Sequence, residues 1–159
     1  EKAGADFIAI CTNTMHKVAP QIQEGISVPI LHIADATVDE LKKNNINRVA
    51  LLGTKYTMTQ DFYKERVRRH GIDVIIPDED DVELVNHVIY DQLCLGNINY
   101  DSRKEFIRII GLLKKRGAEG VILGCTEIGL LIQQKDSPLP VFDTTQIHAH
   151  TIAMMAIGK

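Results

Sequence analysis

Gly4-Ala5-Asp6-Phe7-Ile8-Ala9-Ile10-Cys11-Thr12-Asn13 returns later in the chain as Gly117-Ala118-Glu119-Gly120-Val121-Ile122-Leu123-Gly124-Cys125-Thr126-Glu127. Each copy reads as a helix end, a buried strand, a Cys-Thr pair and then an amide or an acid. Each is followed by a helical segment and a strand led by proline, at Pro29 and at Pro140. The echo predicts two related lobes, each offering one cysteine at the end of a strand.

Outward from these two stretches, short apolar runs alternate with helical patterns. Phe7–Ile10, Pro29–Ile33, Arg48–Leu52, Asp73–Ile76, Val121–Leu123 and Pro140–Phe142 read as strands. Their unbroken apolar character fits parallel strands covered on both faces. Between them, Thr37 with Glu40 and Ser102 with Glu105 have the spacing of a capping box. Phe106, Ile107, Ile110 and Leu113 form one apolar face at helical spacing, as do Leu84, Val85, Val88, Ile89 and Leu93. Gly117 suits a left-handed C-terminal cap. The expected class is α/β, with two pseudo-symmetric lobes of mostly parallel sheet flanked by helices. Residues 1–35 plus 139–159 are expected to form the first lobe and 36–138 the second. Glu1-Lys2-Ala3-Gly4 resembles the last turn of a helix, so the first lobe is expected to be truncated at its N-terminal side.

Composition narrows the function. Of 159 residues, 45% are hydrophobic and 25% charged, ordinary globular usage, with a formal net charge of −3. A nucleic-acid surface would need a clustered basic face. The one tight basic run, Lys114-Lys115-Arg116, ends a predicted helix, where cations suit the dipole. No apolar stretch has transmembrane length and no signal peptide is visible. The three cysteines, at 11, 94 and 125, are widely spaced without a C-x-x-C pair. Free thiols in a reducing cytoplasm are therefore expected, rather than a disulfide framework or a structural zinc site.

Cys11 and Cys125 each follow an apolar strand and precede a helical segment. Ligands of open α/β sheets bind beyond the carboxyl ends of strands. A helix N-terminus there would favour a thiolate and a bound carboxylate. Thr12, Asn13, Thr14 and Thr126 add neutral hydrogen-bonding groups. Gly53-Thr54-Lys55-Tyr56-Thr57 follows another strand, and Thr54 is a candidate for holding a substrate carboxylate. Two thiols facing one pocket suit racemisation. One removes the α-proton as thiolate while the other returns a proton from the opposite face, and backbone N–H groups stabilise the carbanionic charge. A cysteine at a strand end also serves as a small core hydrophobe, and Cys94, on the apolar helical face of Gln92-Leu93-Cys94-Leu95, is read as structural. His16 either lines the pocket or sits in the first helical turns. His148 and His150 lack convincing metal-ligand spacing, so no metal is expected.

Cys11-Thr12-Asn13-Thr14-Met15-His16, Leu51-Leu52-Gly53-Thr54, Gly124-Cys125-Thr126-Glu127-Ile128 and Val141-Phe142-Asp143-Thr144 together resemble the aspartate/glutamate racemase family. The similarity covers essentially the whole chain and is nearest the aspartate and broad-specificity amino-acid branch. It implies two pseudo-symmetric lobes with the active site between them, and no cofactor, pyridoxal phosphate included. It implies Cys11 and Cys125 as the acid/base pair, with Asn13, Thr14 and Thr126 on the amino-acid carboxylate. Glu127 stands where cell-wall glutamate racemases carry a His. It is expected to act as proton partner of the thiol or to hold the substrate ammonium. The resemblance implies a further N-terminal segment, which is expected to be missing from this stretch of sequence. Leu93-Cys94-Leu95-Gly96 stands where aspartate racemases often carry a Lys before the glycine, which leaves side-chain selectivity open. The resemblance also implies a homodimer. The alternatives are a related isomerase or decarboxylase acting on maleate, hydantoins or arylmalonates, and a non-catalytic carboxylate-binding module.

Overall fold

The computed structural model describes residues 1–158. Each predicted apolar run becomes a strand: β1 (Ile8–Ala9), β2 (Ile30–Leu31), β3 (Arg48–Gly53), β4 (Asp73–Ile75), β5 (Gly120–Gly124) and β6 (Val141–Asp143). All pair in parallel, in a two-stranded sheet β1-β2 and a four-stranded sheet β4-β3-β5-β6. The helices are α1 (Ala19–Glu24), α2 (Ile33–Lys43), α3 (Lys55–Thr59), α4 (Asp61–Arg68), α5 (Glu79–Asp91), α6 (Tyr100–Lys115), α7 (Ile128–Leu131) and α8 (Thr144–Ala156). No helix of the described residues is long and apolar enough to cross a membrane.

Side chains alternate across β3, so each face of the larger sheet builds its own core. Ala50 and Leu52 pack with Val121, Leu123 and the inner faces of α5 and α6, including Val85, Ile89, Phe106 and Ile110. Val49 and Leu51 pack with Ile122, Phe142 and residues of α2 and α4, among them Val38, Leu41, Tyr63 and Val67. A sheet covered on both sides needs the continuous apolar strands that the sequence displays.

The internal echo is present in the backbone. Gly4 and Gly117 both take left-handed conformations, with φ of 86° and 92°, which a side chain would disfavour. Ile8 N–H donates to Pro29 O at 2.9 Å, and Val121 N–H donates to Pro140 O at 2.9 Å. His32 caps α2 by accepting from Ala34 N–H. Asp143, at the matching place after Pro140, caps α8 by accepting from Thr145 and Gln146 N–H. The two helices so matched, α2 and α8, pack against each other.

Two local expectations give way to tertiary contacts. Thr37 is no cap: α2 begins at Ile33, and the fully buried Thr37 hydroxyl donates to Ile33 O one turn back at 2.8 Å. Helix α6 is capped by Asn99, which leaves Ser102 to bond Gln92 Oε1 at 2.6 Å. The segment 139–159 divides its allegiance: β6 completes the four-stranded sheet, while His148 of α8 donates to Leu31 O of the two-stranded sheet at 2.8 Å.

Candidate active site

The strand order puts a topological switch between β3 and β5, since β4 lies on one side of β3 and β5 on the other. Ligand crevices of α/β sheets form at the carboxyl ends of such strands. Gly53 and Gly124 are register partners at that edge. A Cβ on Gly53 would meet Gly124 O at 2.9 Å, and one on Gly124 would meet Leu52 O at 3.0 Å. The two glycines let the strand ends close tightly, and the next residues are Thr54 and Cys125.

Thr54 caps α3, accepting from Thr57 N–H at 3.3 Å. Its hydroxyl lies 3.1 Å from that of Thr57, and the Thr14 hydroxyl lies 3.3 and 3.2 Å from the two. Three threonine hydroxyls from two separate segments of the chain thus meet at one point. Hydroxyl hydrogens rotate, so the group can turn donors toward a ligand oxygen. Thr57 was not singled out from sequence, although its place three residues after the cap puts it on the same face.

The loop carrying Cys11 is joined to the other cysteine's strand by one hydroxyl. The fully buried Thr144, first residue of α8, donates its proton to Leu123 O at 2.7 Å. It must therefore accept from Asn13, and Asn13 Nδ2 lies 3.0 Å away. That fixes the amide: Oδ1 of the buried Asn13 is the remaining atom, and it has no partner among the described residues. Leu123 stands two residues before Cys125. Neither link was anticipated, although Thr144 sits inside the Val141-Phe142-Asp143-Thr144 stretch.

The two cysteines differ. Cys11 is exposed and Cys125 half-buried. The Cys125 thiol donates to Glu127 Oε2 at 3.0 Å. Burial, reinforced by the adjacent carboxylate, pushes this thiol up to about 12, so it is protonated at neutral pH. The expectation that a helix N-terminus would favour its thiolate fails here. Helix α7 has only four residues and begins after Glu127, so burial, with the Glu127 carboxylate added to it, decides the shift. Glu127 itself is held below the usual carboxylate range: burial opposes this, but hydrogen bonds from the side chains of Cys125 and Thr126 outweigh it. No long helix follows Cys11 either, because a short 3-10 turn at Thr14–Val18 leads into α1. Thr12 is half-buried, Thr126 exposed. Cys94 is exposed in the 3-10 turn Leu93–Leu95 that follows α5, not on a buried helical face. Burial first, then the Glu127 charge, raises its thiol.

Behind the Cys11 loop lie three buried histidines. The rings of His16 and His32 are 4.3 Å apart and those of His16 and His148 5.9 Å. His16 Nδ1 lies 2.7 Å from Thr12 O, and His16 Nε2 accepts from Ile33 N–H at 3.2 Å. All three are held below the ordinary histidine range by burial, His32 down to about 3.

Comparison with known proteins gives the family and the fold. A sequence model of the Asp/Glu/Hydantoin racemase family matches residues 1–152. The chain is 51% identical to a Yersinia pestis protein provisionally described as an Asp/Glu racemase, with a TM-score of 0.93 over 98% of this chain and 68% of that one. It is 38% identical to an aspartate racemase homologue from Pyrococcus horikoshii OT3, with a TM-score of 0.89 over 98% and 69%. The broad specificity amino-acid racemase RacX of Bacillus subtilis is 27% identical over 91% of this chain, which spans 62% of RacX.

Proposed function

The chain belongs to the Asp/Glu/Hydantoin racemase family, and from that premise we propose that it inverts the α-carbon of aspartate or glutamate without pyridoxal phosphate, through Cys11 and Cys125. The observation that carries the reading is the bridge Asn13–Thr144–Leu123. It ties the two Cys-Thr turns to one sheet edge, beside the glycine pair of the switch point.

The roles follow from the two environments. Cys125 starts protonated, held so by burial and by Glu127, and is the acid. Cys11, exposed on its loop, is the base. Its thiolate takes the α-proton; the C–H electron pair passes into the carboxylate as an enediolate, and the Cys125 thiol gives its proton to the opposite face. Cys11 is then a thiol and Cys125 a thiolate, the state that runs the reaction backward. A thiolate beside the Glu127 carboxylate is a strong base, which suits a weakly acidic α-proton.

Substrate contacts divide by donor and acceptor. The hydroxyls of Thr14, Thr54 and Thr57 are donors for a carboxylate, with Thr12 and Thr126 at the rim. Asn13 Oδ1 is an acceptor and suits the substrate ammonium, so the side chain of Asn13 moves from the carboxylate to the amine in this reading. We place the seam between the two related halves at the contact of α2 with α8. Incubation with each enantiomer of aspartate, glutamate and a panel of neutral amino acids, followed by chiral chromatography, tests the assignment. Conversion of an acidic amino acid toward the racemate supports it; conversion of neutral amino acids alone rejects it.

A further inference from the structure

We infer that His16 is a positioning residue for Cys11, holding the Cys11–Thr14 loop against the N-terminus of α2 through a single neutral tautomer. The inference rests on the two-thiol reading above. Strand β1 is two residues long, so the sheet alone gives the loop little support. Its end at Asn13 is fixed to α8 through Thr144. At Thr12, nearest the thiol, the side-chain tie is the buried His16 ring.

Geometry dictates the tautomer. Ile33 N–H can only donate, so His16 Nε2 must be bare. The proton therefore sits on Nδ1 and is donated to Thr12 O at 2.7 Å. The next N–H of the helix, that of Ala34, is accepted by His32 Nδ1 at 3.1 Å. Two imidazoles thus satisfy two free N–H groups at the start of α2, and both must be uncharged to do so. The positive end of the helix disfavours an imidazolium there as well. His148, from α8, donates Nε2–H to Leu31 O just before the same turn. The remaining charged neighbours are Arg66 of α4 and Asp35 of α2, paired at 2.6 and 2.7 Å. Arg66 opposes protonation of the rings, and Asp35 is largely neutralised by Arg66. The cluster couples the Cys11 loop to the seam between α2 and α8. Protonating His16 would put a hydrogen against Ile33 N–H and release the loop.

Three measurements test this. Long-range proton–nitrogen NMR of the wild-type protein should show His16 as the neutral Nδ1–H form through the working pH range. His16→Phe should remain folded by circular dichroism and lose roughly 10²-fold in kcat with little change in KM, as expected for a misplaced acid/base group. His16→Asn, which keeps a donor toward Thr12 O, should recover part of that loss. Alkylation of Cys11 in a Cys94→Ser, Cys125→Ser background should shift its pH profile when His16→Phe is added. An Nε2–H tautomer, or a folded His16→Phe variant with wild-type kcat and an unchanged alkylation profile, overturns the inference. The tautomer and the alkylation profile need no turnover, so they decide it even if the protein proves not to be a racemase.

Discussion

Glu127→Gln removes a negative charge 3.0 Å from the Cys125 sulfur while keeping the side chain's size. If that carboxylate holds the thiol protonated, its loss must lower the thiol's pKa. Between unit charges at 3.0 Å the repulsion is about 1.4 kcal/mol in a water-like medium and about 5.5 kcal/mol at an effective dielectric of about 20. These correspond to about 1 and about 4 pKa units. Burial, the largest cause of the elevation, is untouched by the substitution, so the thiol cannot fall below its free value near about 8.5. From the starting point of about 12, the midpoint should settle between about 9 and about 11. Titration of the ultraviolet thiolate absorbance, in a Cys11→Ser, Cys94→Ser background that leaves one thiol, reads it directly. An unchanged or raised midpoint refutes the coupling between Glu127 and the Cys125 thiol; a wild-type midpoint near neutrality would refute the assignment of Cys125 as the group protonated at rest.

Thr144→Val removes the hydroxyl that links Asn13 to Leu123; denaturant unfolding should show a loss of about 1–3 kcal/mol from the stranded partners, and kcat should fall as the two turns lose their common anchor. Gly124→Ala forces a Cβ to 2.9 Å from Leu51 Cδ1 and 3.0 Å from Leu52 O; the expected cost is about 1–3 kcal/mol, measured the same way, with Cys125 displaced. Stability should also fall in acid. His16, His32 and His148 have lowered values in the folded protein, so their contribution is complete above about pH 6.5 and is lost as pH falls below it, when only the unfolded chain binds the protons. The slope approaches at most about 4 kcal/mol per pH unit, and His32→Asn, which keeps a capping acceptor, should make it shallower in urea titrations at several pH values.

The fold was legible because its strongest signals are local in the chain. The apolar runs became strands, those of β3 and β5 buried on both faces, and the echo of residues 4–13 in 117–127 foretold the matched glycines and proline-led strands. Cap positions were misread because Thr37 and Ser102 carry capping spacing but were claimed by Ile33 O and Gln92. Propensity is a weak prior beside such contacts. The site was legible only in part. Cys-Thr-Asn-Thr, Gly-Thr and Gly-Cys-Thr-Glu are contiguous motifs and were found. Thr57, Thr144 and the bridging ring of His16 work through partners 43, 131 and 17 residues away. Single-chain spacing holds no record of such pairs. The direction of the Cys125 shift was missed for the same reason: it depends on burial and on a carboxylate orientation that only the fold sets.

The most direct test is proton NMR of L-aspartate and L-glutamate in deuterated water, with the wild-type protein and with Cys11→Ser and Cys125→Ser. The account predicts loss of the Cα–H signal with the wild type, accompanied by the D enantiomer. In both variants racemisation should fall by at least about 10²-fold. No exchange with either amino acid, or racemisation undiminished in either variant, would contradict it.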